Sequence, residues 1–100
     1  MGKKIIWSPT TLLQLEEIHE DILEVSKSLN TADRVVNDIM NSADILSSKP
    51  EIYTLDEYKL NNDGSYRSYE IRTYNLAYRV LEDTIRIIRV RYSGKEPKQH

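Results

Sequence analysis

The chain contains no cysteine. That excludes disulfides, thiolate metal centres and thiol nucleophiles together, and it suits a reducing compartment. No apolar run approaches the roughly 18 residues that span a bilayer. The opening MGKKIIW is too short in its apolar part for a secretory signal. A cytoplasmic protein without a membrane partner is therefore expected. Glycine-rich phosphate loops, metal-ligand clusters and nucleophile triads are also missing. No cofactor or metal is expected, and most enzyme classes lose their support.

The 100 residues are enough for one domain, residues 1–100. A chain of this size buries roughly two-thirds of its unfolded surface, which supports one modest core without staples. The net charge of −2 argues against a general nucleic-acid binder. Its distribution is uneven. Residues 1–58 carry 5 Lys/Arg against 11 Asp/Glu, whereas residues 59–100 carry 9 against 5. The basic C-terminal half suggests an anionic partner there. The plainer reading is that Arg and Lys suit exposed strand faces.

Tyr66 to Tyr92, YRSYEIRTYNLAYRVLEDTIRIIRVRY, dominates that half. Alternation at period two, rich in Tyr, Ile, Val and Thr, predicts strands at about 65–73, 74–81 and 85–92. Arg72-Thr73 is the expected junction of the first two. Glu82-Asp83-Thr84 supplies the next turn and has no glycine, so a loop longer than a two-residue primed turn is expected. Asn61-Asn62-Asp63-Gly64 is a strong turn signal ahead of the strands. Residues 52–60 have mixed character, with Tyr53, Leu55 and Tyr58 expected at the core edge.

The first half supplies a cover for the strands. Lys3–Trp7 reads as a short strand, after which Ser8 caps a helix and Pro9 suits its first position. Leu12, Leu15, Ile18, Ile22, Val25 and Leu29 form one helical stripe, with Glu16, Glu17, Glu20, Asp21 and Glu24 mostly off it. His19 beside the stripe reads as a hydrogen-bonded, half-buried residue rather than a ligand. Asn30-Thr31 breaks the pattern, with Thr31 as the expected cap of a second helix. That helix has the stripe Ala32, Val35, Val36, Ile39, Met40, Ala43 and Leu46, and it ends before Pro50. The expected fold is α+β: a two-layer β-α-α-β-β-β domain, its helical hairpin packed on a mainly antiparallel sheet. The other sheet face is left open and carries many of the Arg and Tyr side chains.

IIWSP followed by LLQLEEI, then YRSYEIRTYNLAYRVLEDTIRIIRVRYSGKEP, resembles the RelE/ParE superfamily of toxins from bacterial type II toxin–antitoxin systems. The resemblance covers nearly the whole chain. It implies a growth-arresting toxin neutralised by a cognate antitoxin in a hetero-oligomer, with either DNA gyrase or the ribosome and its mRNA as target. Fold-level likeness does not choose between these. RelE-like members cut mRNA without a metal. That chemistry needs a group to take the 2′ proton, a donor for the 5′ oxygen and cations on the phosphate. Mapped by the Tyr-x-hydrophobic-x-Tyr spacing, Tyr74 and Tyr78 are kept. The nucleases' central Arg is here Asn75, and the His at the end of the last strand is here Tyr92. The resemblance therefore carries over Arg67, Lys95 and His100 as catalytic candidates for a nuclease. Arg72, Tyr74, Asn75, Arg79, Arg91 and Tyr92 are carried over as binding candidates. Arg72, Arg79 or Arg91 is available as a substitute cation, Arg79 sharing a strand face with Asn75. The missing Arg ranks gyrase inhibition ahead of mRNA cleavage. A non-toxic binding module on the same fold is a third reading.

Each candidate has a structural alternative. Tyr66, Tyr69, Tyr74 and Tyr78 either stack on bases or fill the core, and the core is favoured for Tyr69 and Tyr78. Arg86, Arg89 and Arg91 either grip phosphates or pair across strands with Glu70 or Glu82. A terminal His100 is more often loosely held than catalytic.

Overall fold

The computed structural model describes residues 2–94. Strand β1 (Lys4–Trp7) leads into helix α1 (Pro9–Ser26) and helix α2 (Leu29–Ser42), followed by a 3-10 turn, Asp44–Ser47. Strands β2 (Tyr66–Ile71), β3 (Tyr74–Val80) and β4 (Thr84–Tyr92) complete the chain. The sheet order is β1-β4-β3-β2. β1 runs parallel to β4, and the other two pairs are antiparallel. This is the expected α+β arrangement of two helices on a four-stranded mixed sheet.

Helix α1 starts where the sequence places it. The Ser8 side chain accepts from the Thr11 amide at 3.2 Å, and Pro9 fills the first turn. Thr11 is buried and donates its hydroxyl to the Ile87 carbonyl at 3.0 Å, which pins the helix start to β4. The break between the helices is earlier than expected. α1 ends at Ser26 with Lys27 as its C-cap, in the left-handed region at φ 57°, and Ser28 rather than Thr31 caps α2. Thr31 is the residue whose amide the Ser28 hydroxyl accepts, at 3.2 Å.

The α1 stripe is also shorter than predicted. Thr11, Leu15 and Ile18 are buried and Ile22 packs beside them, whereas Leu12, Leu29 and above all Val25, 87% exposed, stay outside the core. On α2 the predicted stripe is realised. Ala32, Val35, Ile39, Ala43 and Leu46 are buried, with Val36 and Met40 against them. From the sheet, Tyr69, Leu76, Tyr78, Ile85, Ile87 and Val90 complete the core.

The β2–β3 hairpin closes through Arg72-Thr73 as expected, with Ile71 opposite Tyr74 and Arg72 at φ 54°. The β3–β4 link, residues 81–83, is closed by the Leu81 amide donating to the Thr84 carbonyl at 2.9 Å. None of its residues has positive φ, so it is not a primed turn. Lys3 braces its tip, donating from Nζ to the carbonyls of Leu81 and Glu82. Asn61 and Gly64 adopt positive φ in the expected turn before β2.

Candidate functional site: the outer face of the sheet

Register assigns each strand side chain to a face, because directly opposed residues share one. On the helix side lie Arg67, Tyr69 and Ile71 of β2, Tyr74, Leu76, Tyr78 and Val80 of β3, and Ile85, Ile87, Val90 and Tyr92 of β4. On the outer side lie Tyr66, Ser68 and Glu70, then Asn75, Ala77 and Arg79, then Arg86, Arg89 and Arg91. The outer face is thus rich in arginine, but of the strand tyrosines it holds only Tyr66. The expected Arg/Tyr surface is corrected in that respect. Tyrosine is large and mostly apolar, and the core takes it.

A β-bulge creates the arginine row. Ala77 faces Arg89 and the next residue, Tyr78, faces Ile87, which leaves Ile88 as the extra residue. Strict alternation would put Arg86 on one face and Arg89 and Arg91 on the other. The bulge shifts the phase by one, so that all three point outward. Arg79 stands directly opposite Arg86, and Asn75 directly opposite Arg91.

The segment after the 3-10 turn wraps over the β2 edge onto this face. On the helix side, Tyr53 stacks on Tyr69 with centroids 4.1 Å apart. Leu55 bridges to Arg67, and the Asp56 amide donates to the Tyr66 carbonyl at 2.9 Å. Asn62 Nδ2 then ties the carbonyls of Asp56 and Tyr66 together at 3.2 and 2.9 Å. Of the predicted core-edge residues, only Tyr53 packs on the core; Leu55 is exposed and Tyr58 lies half-buried. Asp56 is 2% exposed and its charge acts on Arg89. Ala77, on the outer face, is fully buried, so the middle of that face is covered rather than open.

The sequence-predicted site residues do not converge on one place. Asn75, Arg79 and Arg91 share the outer face. Arg79 donates from Nε to Ser65 Oγ at 3.1 Å, lies 4.9 Å from the Tyr66 ring centroid, and pairs with Asp63 at 3.7 Å. Arg72 sits in the hairpin turn and is bound from Nε and Nη2 to Asp38 of α2. Tyr74 and Tyr92 are opposed on the helix side, edge to face at 6.1 Å. With Ile22 and Val25 they line a groove beside α1. Burial, then Asp21 and Tyr92, pushes the Tyr74 hydroxyl up. Arg67 points into the helix layer, where Nη1 donates to the Tyr53 carbonyl at 2.6 Å. Lys95 and His100 lie outside the described residues.

Arg86 and Arg89 belong to the outer cluster although the sequence ranks them below the others. Neither pairs with Glu70 or Glu82 among the described residues. Burial, reinforced by Arg91 and opposed by Asp56, lowers the Arg89 pKa from its ordinary value. Buried Asp56 carries no sequence signal, because only the tertiary crossing brings it to β4. His19 behaves as predicted, hydrogen-bonded to Asp33 at 2.7 Å and half-exposed. No group of three or more metal-ligating side chains occurs among the described residues. No helix there is long and apolar enough to cross a membrane.

Residues 5–97 match the family model described as the ParE toxin of the type II toxin–antitoxin system parDE. The chain belongs to that family. Among solved structures it is similar to a chain of the chromosomal ParDE toxin–antitoxin system from P. aeruginosa. The TM-score is 0.72 at 17% identity, over 91% of this chain and 96% of that one. At that identity the likeness is one of fold. Compared by sequence with curated proteins, the chain matches none.

Proposed function

We propose that the chain arrests growth by engaging DNA gyrase and that a cognate antitoxin covers it until release. The observation that carries this reading is the separation of Arg67 from Asn75, the position where the nucleases carry their central Arg. Arg67 is on the helix side, bound to a backbone carbonyl, whereas Asn75 is on the outer side and has no charge. Metal-free RNA cleavage needs its proton acceptor, proton donor and phosphate-holding cations around one phosphate. Two groups on opposite faces of one sheet do not meet there. Blocking a protein target requires only a complementary surface.

On this reading Asn75, Arg79 and Arg91 face the gyrase–DNA complex from the outer side of the sheet. Tyr74 and Tyr92 serve the antitoxin from the groove beside α1, where exposed Val25 offers apolar surface. An antitoxin segment that orders on binding would follow the helices and sheet edge. Action on gyrase puts the protein at work in the cytoplasm. The alternative, ribosome-dependent mRNA cleavage, draws on Arg91 beside Asn75 and on Lys95 and His100.

The test has two arms. Purified chain should inhibit gyrase supercoiling in vitro, and primer extension on mRNA from arrested cells should show no codon-dependent cuts. Cuts appearing soon after induction, with supercoiling unaffected, would replace gyrase by the ribosome as target.

A further inference from the structure

Arg79 and Arg86 are directly opposed on adjacent strands, an arrangement that costs stability when the charges are alike. Arg91 extends the row, and Arg89 lies beneath it. The Nε and Nη2 atoms of Arg89 are buried and meet no hydrogen-bond acceptor among the described residues. The Oδ1 atom of Asn75 is buried in the same condition. The acidic counterweight is uneven. Asp63 reaches Arg79 only at 3.7 Å with both side chains partly exposed, Asp56 acts on Arg89, and Glu70 shares the face at the Arg91 end, whereas exposed Arg86 has no ion pair among the described residues. The half-buried Arg89 guanidinium, with two of its three nitrogens lacking acceptors, adds positive field beneath the surface row, in part offset by Asp56.

We propose that this face binds the phosphate backbone of duplex DNA, with Arg79, Arg86 and Arg91 touching phosphates and Arg89 supplying charge from below. The proposal rests on the gyrase reading, in that DNA held by gyrase is the duplex within reach. Two features favour DNA over an acidic protein. The cations of the row are all arginine, whose planar fork matches phosphate oxygens two at a time. Among the described residues the face also lacks an apolar anchor of the kind that holds protein partners. Ala77 is buried, the Tyr66 ring is already engaged by Lys59 at 4.6 Å and by Arg79, and half-exposed Ile6 is the main apolar neighbour of Arg86. Interfaces with DNA are more polar and more positive than those between proteins. The net charge of −2 and the acidic exposed side of α1 make the contact weak in isolation. It gains strength when docking on gyrase raises the local DNA concentration.

Fluorescence anisotropy of a labelled duplex of about 20 base pairs, titrated with the full chain, tests this. Three phosphate contacts predict a log–log salt slope of about −2.7, hence an affinity loss of about 40-fold between about 50 and 200 mM salt. Arg86→Gln and Arg79→Gln should each reduce the size of that slope by about 1, whereas Arg34→Gln on exposed α2 should leave it unchanged. Arg86 is exposed, so its variant keeps the fold, and circular dichroism of each variant checks that. Absent binding at low salt, or a slope that Arg86→Gln and Arg34→Gln affect alike, overturns the proposal. So does the same arginine dependence for an oligoglutamate peptide or a single-stranded RNA with none for the duplex. A supercoiling assay run in parallel separates the two readings. Gyrase inhibition without DNA binding removes this inference alone, and DNA binding without gyrase inhibition removes the proposed target alone.

Discussion

Tyr78→Phe separates a tyrosine that builds the core from one that touches a ligand. Tyr78 is fully buried on the helix side of β3, edge-on to Tyr69 with centroids 6.1 Å apart. Its hydroxyl donates to the Pro50 carbonyl at 2.7 Å, which ties the end of the helical layer to the sheet. Phenylalanine fills the same space without the hydroxyl, so no cavity opens and the ring contacts remain. What is lost is chiefly the hydrogen bond to Pro50, a net contribution of about 1 kcal/mol. Pro50 is half-buried, so water can reach its freed carbonyl and the larger penalty of an orphaned acceptor does not apply. For a domain of this size, about 1 kcal/mol lowers Tm by about 4–8 °C. Removing the ring as well, in Tyr78→Ala, should cost about 3–5 kcal/mol. That is a large part of the roughly 5–15 kcal/mol such domains have. Thermal and urea unfolding followed by circular dichroism measure both changes, and a growth assay at a temperature where Tyr78→Phe stays folded measures toxicity. The expected result is a modest loss of stability with toxicity kept. A Tyr78→Phe variant that melts like the parent yet loses toxicity would refute this account and make the hydroxyl a ligand contact.

Other consequences are equally direct. Burial pushes the Tyr69 and Tyr78 hydroxyls up to about 12. A folded-state pKa raised above the unfolded value near 10 means that the stability from these groups is intact below about pH 10 and is lost as pH rises toward 12. Alkaline unfolding should therefore begin in that window, and Tyr78→Phe should weaken the dependence; unfolding already under way near pH 8 would contradict it. Ser28→Ala should destabilise by about 1 kcal/mol through loss of the α2 cap, and urea midpoints read the difference. Val25→Ser should change stability by less than about 0.5 kcal/mol, since the side chain lies outside the core. Asp38→Asn should cost at most about 1 kcal/mol, and the difference should shrink in high salt, because the Arg72–Asp38 pair is solvent-exposed at both ends.

Local chemistry made much of this protein legible before any coordinates. Ser8-Pro9 marks the start of α1, because a side-chain acceptor and a residue without an amide proton suit a helix N-terminus wherever it occurs. The α2 stripe, the Asn61–Gly64 turn and the Arg72-Thr73 junction are legible for the same reason: each depends on neighbours in sequence. The α+β class follows from the order of such elements. Less legible was where a stripe stops being core. Val25 continues the α1 periodicity, but only the tertiary packing decides whether anything covers it.

The candidate site shows the division most sharply. Sequence alone determined that the second half of the chain is basic, rich in Arg and Tyr, and built of strands with a two-residue repeat. It could not assign those residues to faces past Ile87, because one extra residue reverses the phase of everything after it and nothing local announces a bulge. Tertiary structure made that assignment: Ile88 opens the bulge, Arg89 and Arg91 join Arg86, and Tyr74, Tyr78 and Tyr92 turn toward the helices. It also set Asp56 near Arg89 and Asp38 against Arg72, contacts between residues more than thirty positions apart. Long-range pairing of this kind depends on how layers stack, and stacking is a property of the whole chain rather than of any stretch of it.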